Sequence, residues 1–97
     1  MDLKRQSLKD QPTRPKTVEA AFGLVLRRYR LQRGLTQADL EGESSIDRSF
    51  ISQLENGQKQ ACLKTIIHLA YRLGLTPGAL IDEVMKETDP KELKHLQ

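Results

Sequence analysis

Polar side chains suited to hydrogen bonding with DNA base edges recur along one face of residues 48–55. They are Arg48, Ser49, Ser52 and Gln53, in two pairs spaced four residues apart. Residues at this spacing lie on the same side of a helix. In a major groove, arginine pairs with guanine and glutamine with adenine. The other edge of this helix carries Ile46, Ile51 and Leu54. The pattern predicts a helix with one edge held in a core and one edge free to contact bases.

A further helix is predicted directly before this one. Thr36 and Asp39 have the spacing of a capping box, which indicates a helix over residues 37–43. Only residues 44–47 separate it from the helix over 48–55, and a connection this short forces two helices to cross steeply. That is the geometry of a helix-turn-helix, whose second helix enters the major groove. We therefore call residues 48–55 the reading helix.

The rest of the chain predicts an all-α fold. Apolar residues repeat at helical spacing, strand-like alternation is absent, and Gly34 and Gly74 mark helix ends. The predicted helices cover residues 18–33, 37–43, 48–55, 63–73 and 77–86, and a short sixth begins at Asp89 and Pro90. We expect a domain over residues 17–86, a flexible basic arm over residues 1–16 and a tail over residues 87–97.

Composition limits the classes of function. The chain has 97 residues, a net charge of +3 and a single cysteine, and its two histidines have no partners at ligand spacing. These features predict neither a disulfide nor a metal site. No apolar stretch suits a signal peptide or a membrane span, and no nucleophile stands with a base in a catalytic pattern. We expect a cytoplasmic protein that is not an enzyme, does not associate with membranes and takes no cofactor.

Residues 22 to 83 resemble the phage-repressor and Cro type of helix-turn-helix, the xenobiotic-response-element family. The resemblance rests on LTQADL (residues 35–40), IDRSFISQLENG (residues 46–57) and the stretch from Leu63 to Pro77. It implies a five-helix, lambda-repressor-like domain that binds palindromic double-stranded DNA as a homodimer and regulates transcription. Residues 47–52 are also similar to the controller proteins of restriction–modification systems.

The resemblance implies roles for single residues. Gln37 would contact a phosphate and buttress the reading helix, and Asn56 would bind the DNA backbone. Arg30 and Glu55 match a structural ion pair of the family. Phe50 has two interpretations, a core residue or a contact with a thymine methyl group. The predicted DNA-binding residues are Gln37, Asp47, Arg48, Ser49, Phe50, Ser52, Gln53 and Asn56.

Two residues depart from the family pattern. Glu41 stands where the family prefers alanine at the helix crossing, and Ser45 stands where the turn prefers glycine. We therefore expect either a wider crossing or a Glu41 side chain turned out to solvent.

The last predicted helix of the domain has a wide apolar stripe. Of the four apolar residues in this stripe, Leu80 is expected to point inward and the other three are expected to form the interface of a homodimer. These three are Ile81, Val84 and Met85.

Two functions follow from these patterns. One is a sequence-specific transcriptional regulator. The other is an antitoxin or adaptor that binds another protein through its terminal segments. An exposed apolar patch that self-association does not bury would be evidence for this second function. The arm has two interpretations as well, a solubilising tail or a strand that contacts DNA.

Overall fold

Helix α1 spans Val18–Gln32 in the computed structural model, which describes residues 14–97. It begins at Thr17, whose side-chain oxygen accepts a hydrogen bond from the backbone N–H of Ala20 at 3.1 Å. It ends before Gly34, which adopts a φ of +67°, a left-handed conformation that favours glycine. Both ends therefore follow from local sequence.

Four more α-helices follow: α2 (Arg48–Glu55), α3 (Leu63–Arg72), α4 (Pro77–Glu87) and α5 (Pro90–His95). Their bounds confirm the helices predicted over 48–55, 63–73 and 77–86, and also the short one at Asp89 and Pro90. The all-α prediction is confirmed, since residues 14–97 contain no strand. Within the same range, no helix has both the length and the apolar character needed to cross a membrane.

The core lies where α1 crosses α2 and α4. The predicted apolar edge of α2 faces it, because Ile46, Ile51 and Leu54 are all buried. The other buried apolar residues are Ala21, Phe22, Val25, Leu26, Leu40, Leu69, Ala70, Leu73, Leu80 and Val84. Burial of one edge fixes α2 in place and leaves its other edge facing outward.

The helix predicted over residues 37–43 is wrong. The capping box does form, because the N–H of Thr36 donates to the Asp39 carboxylate at 2.8 Å and the N–H of Asp39 donates to the Thr36 hydroxyl at 3.1 Å. Only a 3-10 turn, Ala38–Leu40, follows it, and Glu41 is extended with a ψ of 153°. The connection to α2 therefore covers residues 41–47 rather than 44–47.

His68 in α3 explains why the helix stops. Its Nε2 lies 2.9 Å from the carbonyl oxygen of Leu40, which a longer helix would use for its own hydrogen bonding. Its ring also lies against Gly42, where an added Cβ would be 2.6 Å from Cε1 of the imidazole. The backbone N–H of Gly42 donates instead to the carbonyl of Ile46 at 2.9 Å. In this longer loop Ser45 has no positive φ, so the expected need for glycine is absent.

The start of the described chain contacts α5. The carbonyl of Pro15 accepts a hydrogen bond from the N–H of Asp89 at 3.0 Å, and the N–H of Val18 donates to the Glu92 carboxylate at 3.1 Å. The end of the predicted arm therefore lies beside the predicted tail. Residues 1–13 of that arm lie outside the described residues.

Candidate nucleic-acid interface

Two carboxylates satisfy the first backbone amides of α2. Asp47 caps the helix, accepting from the N–H of Phe50 at 2.8 Å, and Glu41 accepts from the N–H of Arg48 at 2.9 Å. Glu41 is half-buried and bonded to α2 rather than turned out to solvent, so the second of its two expected courses is wrong. It turns to α2 because the preceding turn ends at Leu40. The sequence analysis missed this role, although a carboxylate just ahead of a helix start is its ordinary signal.

The outer edge of α2 presents polar groups that no neighbour uses. Arg48 and Ser49 are exposed, whereas Ser52 and Gln53 are half-buried. Within residues 14–97, none of these four side chains makes a hydrogen bond. Their donors and acceptors are therefore available to a ligand, as contact with base edges requires.

The far end of α2 is anchored by the residues predicted to form a structural pair. Arg30 binds Glu55 through two hydrogen bonds, of 2.6 Å from Nε and 3.0 Å from Nη2. Only 11% of the Arg30 side chain and 3% of the Glu55 side chain are exposed. The bond with Glu55 raises the pKa of Arg30 above its ordinary value, so this arginine remains charged. The Arg30 guanidinium makes a third hydrogen bond, in which Nη1 donates to the carbonyl oxygen of Leu35 at 2.9 Å.

Gln37 joins this cluster. Its side-chain Nε2 donates to the Glu55 carboxylate at 3.1 Å and so ties the 3-10 turn to the end of α2. This contact fits the predicted buttressing role, and the predicted phosphate contact remains a prediction. An open groove of about 520 Å³ lies next to it, lined by residues that include Arg30, Gln37 and Arg48.

Three other residues predicted to contact DNA lie in different surroundings. Phe50 is half-buried and packs against the core, which favours the first of its two interpretations. Asn56 is exposed at the C-terminal end of α2. Asp47 is exposed too, but its carboxylate already caps the helix. Base contact by Asp47 and phosphate contact by Asn56 remain predictions.

Gly23 was not singled out in the sequence, yet α2 depends on it. Here α1 passes so close to α2 that a Cβ added at Gly23 would lie 2.6 Å from the carbonyl oxygen of Glu55 and closer still to that of Leu54. Real Cβ atoms essentially never approach backbone this closely, so the crossing needs glycine.

The predicted dimer residues are distributed differently from expectation. Leu80 points inward and is fully buried, as predicted. Val84 is only 4% exposed and packs in the core of the single chain. Its assignment to an interface remains a prediction. Ile81 is half-buried in a groove that Phe22 also lines, whereas Met85 is 50% exposed.

The described residues offer no obvious metal chemistry. Residues 14–97 contain no group of three histidine, cysteine, aspartate or glutamate side chains placed to hold a metal ion. Cys62 is exposed at the start of α3, where a hydrogen bond with the Thr65 hydroxyl at 3.3 Å lowers its pKa.

Known proteins are similar to this chain in sequence and in fold. A family described as a helix-turn-helix domain matches residues 21–84. The HTH-type transcriptional regulator y4dJ of Sinorhizobium fredii is 33% identical over 59 residues, which cover 61% of this chain and 77% of that protein. The restriction–modification controller protein C.AhdI from Aeromonas hydrophila is 37% identical, with a TM-score of 0.58 over 64% of this chain and 94% of that one. A second solved structure, the controller C.Esp1396I as a tetramer in complex with its natural 35 base-pair operator, is 25% identical, with a TM-score of 0.64 over 75% of this chain and 96% of that one.

Proposed function

Because this chain belongs to the helix-turn-helix family and is a DNA-binding transcriptional regulator, we propose that it binds a palindromic operator as a homodimer, with α2 in the major groove. The observation that carries the proposal is the unengaged polar edge of α2 opposite a fully buried edge. The similarity to C.Esp1396I, solved on its operator, supports it.

The contacts at both ends of α2 suit this role. Glu41 and Asp47 hold the first turn, and the Arg30–Glu55–Gln37 cluster holds the last. A helix fixed in advance loses little conformational entropy when it binds, and this favours affinity. Two carboxylates at the start of α2 also offset the positive end of the helix dipole. Phosphate is therefore bound elsewhere, by Gln37 and Asn56, and the start of α2 faces bases.

Regulation then follows from occupancy of the operator. Arg48 contacts a guanine and Gln53 an adenine, the pairings that their side chains favour. Ser49 and Ser52 lie between these two residues in the sequence, and each adds a single hydrogen bond to a base. We assign no catalytic step to the protein. It acts in the cytoplasm, and the position of its dimer on a promoter determines its effect on transcription.

Replacing Arg48 with alanine should weaken specific binding by about 1–3 kcal/mol, since a bidentate arginine–guanine contact contributes that much discrimination. One position of the operator should also lose its preference. Binding to the operator and to its single-base variants, followed by fluorescence anisotropy, measures both effects. Circular dichroism should be unchanged, because the side chain is exposed.

Arg27→Ala is the matched control, because it removes the same charge from an exposed residue that lies on α1 and not on α2. It should leave base preference intact. An equal loss of affinity by Arg48→Ala on operator and random DNA would show that Arg48 touches only phosphate.

A further inference from the structure

The side chain of Glu41 lies at the start of the reading helix. Its Oε2 accepts a hydrogen bond from the backbone N–H of Arg48 at 2.9 Å, and the residue is half-buried. Within residues 14–97, no lysine, arginine or histidine forms an ion pair with it. Its negative charge is therefore directed at the backbone of α2, next to the edge that faces outward.

The loop holds Glu41 in this position from both sides. Leu40 before it is fully buried, and its carbonyl oxygen lies 2.9 Å from Nε2 of His68. Gly42 after it lies against the same imidazole and donates its N–H to the carbonyl of Ile46 at 2.9 Å. Because both neighbours of Glu41 are fixed, its backbone has little freedom and its carboxylate is held at the start of α2.

The start of a helix is ordinarily a place where phosphate binds. The first backbone N–H groups of a helix have no partners within it, and the helix dipole adds a partial positive charge there. In α2 two of these groups are occupied by carboxylates, that of Arg48 by Glu41 and that of Phe50 by Asp47. A DNA phosphate brought to the start of α2 would therefore meet two negative charges in place of two free donors.

Helix capping by itself does not account for Glu41. Asp47 already supplies the N-cap, and a single capping residue is the usual requirement of a helix start. A second carboxylate that is half-buried, and that has no cation beside it among residues 14–97, costs solvation free energy. Its presence indicates a function besides capping.

We propose that Glu41 is a specificity-determining residue, whose charge repels phosphate from the start of α2 and so lowers the affinity for DNA that lacks the operator sequence. The proposal rests on the proposed function, in which α2 contacts base edges, and it adds how other DNA is rejected. Specificity is a difference between two affinities, so an unfavourable contact with the wrong partner increases it. Phosphate contacts supply nearly all of the affinity for non-specific DNA.

The operator complex is less sensitive to this charge than the non-specific complex. On the operator, Arg48 and Gln53 reach base edges in the major groove, while Gln37 and Asn56 bind phosphates away from the start of α2. On other sequences the base contacts are lost, and the chain is held by the phosphate backbone alone. Repulsion at the start of α2 therefore acts mainly against the non-specific complex.

The test compares two duplexes of equal length, one that the full wild-type chain selects from a random pool and a scrambled version of it. Glu41→Gln keeps an oxygen that can accept from the N–H of Arg48, but it removes the charge. We expect this variant to bind the scrambled duplex about 3–10-fold more tightly at about 50 mM salt, and the selected duplex within about two-fold of wild type.

The salt dependence provides a second readout of the same variant. Between about 50 and 200 mM salt, the affinity of Glu41→Gln for the scrambled duplex should fall by a factor about three-fold larger than for wild type, the share of one phosphate contact. Fluorescence anisotropy at several salt concentrations measures both quantities, and circular dichroism verifies the fold of each variant.

Glu41→Ala removes the hydrogen bond as well as the charge. It should bind the scrambled duplex at least as tightly as Glu41→Gln does, because the N–H of Arg48 becomes free. It should bind the selected duplex more weakly than wild type, because Arg48 is no longer held. Asp82→Asn is the matched control, since it removes the same charge from an exposed residue of α4. It should change the affinities for both duplexes by the same factor.

A purely structural role for Glu41 predicts a different result. If Glu41 only caps α2, Glu41→Gln keeps the wild-type affinity and salt dependence on both duplexes, and the proposal is overturned. It is also overturned if Asp82→Asn lowers the preference for the selected duplex as much as Glu41→Gln does, because the effect then comes from net charge alone.

Failure of the proposed function gives another pattern. If α2 does not read DNA, the wild-type chain selects no sequence and binds all duplexes alike, and the role of Glu41 fails with it. If the function is right and only the role of Glu41 is wrong, the wild type prefers its selected duplex and Glu41→Gln shows the same preference.

Discussion

Replacing Arg30 with methionine should lower the free energy of unfolding by about 3–5 kcal/mol, the usual cost of removing one partner from a buried ion pair. Glu55 is only 3% exposed and would lose both of its bonds from the guanidinium. Gln37 alone would remain, at 3.1 Å, to compensate a buried charge. A domain of this size loses about 4–8 °C of Tm per kcal/mol, so the effect is large in a thermal scan.

The surface pair between Arg28 and Glu87 provides a matched control. Its separation is 3.1 Å, but 37% and 30% of the two side chains are exposed. Arg28→Met should cost only about 0–1 kcal/mol, because solvent screens the pair. Urea titrations of both variants measure the difference. The double variant Arg30→Met/Glu55→Leu should recover most of the stability. Equal effects of Arg30→Met and Arg28→Met would contradict the anchoring role of the buried pair.

Gly23→Ala should lower the free energy of unfolding by about 1–3 kcal/mol or more, since the added methyl group overpacks a helix crossing. The atoms it would meet are carbonyl oxygens at the end of α2, which move only if the helix moves. The protein that stays folded should therefore bind its operator more weakly as well, because α2 is displaced from α1.

Gly78→Ala separates crowding from the general effect of alanine. Gly78 lies in α4, and a Cβ built there meets no atom within 4 Å. Alanine is the better helix former by up to about 1 kcal/mol, so this variant should be neutral or slightly stabilised. Chemical denaturation and operator binding together provide the comparison. A loss of stability at Gly78 as large as that at Gly23 would rule out a role for close approach of α1 and α2.

The sequence predicted those elements whose signals are local. Helix α2 begins at Arg48 as predicted, because Asp47 supplies the cap and Ile51 and Leu54 supply the buried edge. The helix over 37–43 failed because its end depends on His68, which comes from α3 and is distant in sequence. A capping box indicates where a helix starts, and nothing in residues 37–43 indicates that a distant imidazole takes the carbonyl of Leu40.

In the candidate site, too, the sequence predicted the features that depend on local spacing and missed those that depend on distant contacts. The polar edge of α2 follows from helical spacing, whereas the contact of Gln37 with Glu55 follows from tertiary packing. The burial of Val84 was not predicted, because an apolar stripe on α4 does not reveal which of its residues the rest of the chain covers. The apolar spacing of Leu63, Ile67 and Tyr71 is visible in the sequence, but their exposure is evident only once Leu69 and Ala70 are seen to face the core.

Selection of bound sequences from a pool of random duplexes, with the full-length wild-type chain, tests most directly whether α2 reads DNA. We predict enrichment of a palindrome whose half-sites lie about 10 base pairs apart. Its affinity should exceed that for a scrambled duplex of equal length by at least about 10³-fold at one fixed salt concentration. A pool that stays random after repeated rounds, or equal affinity for the selected and scrambled duplexes, would contradict sequence reading by α2.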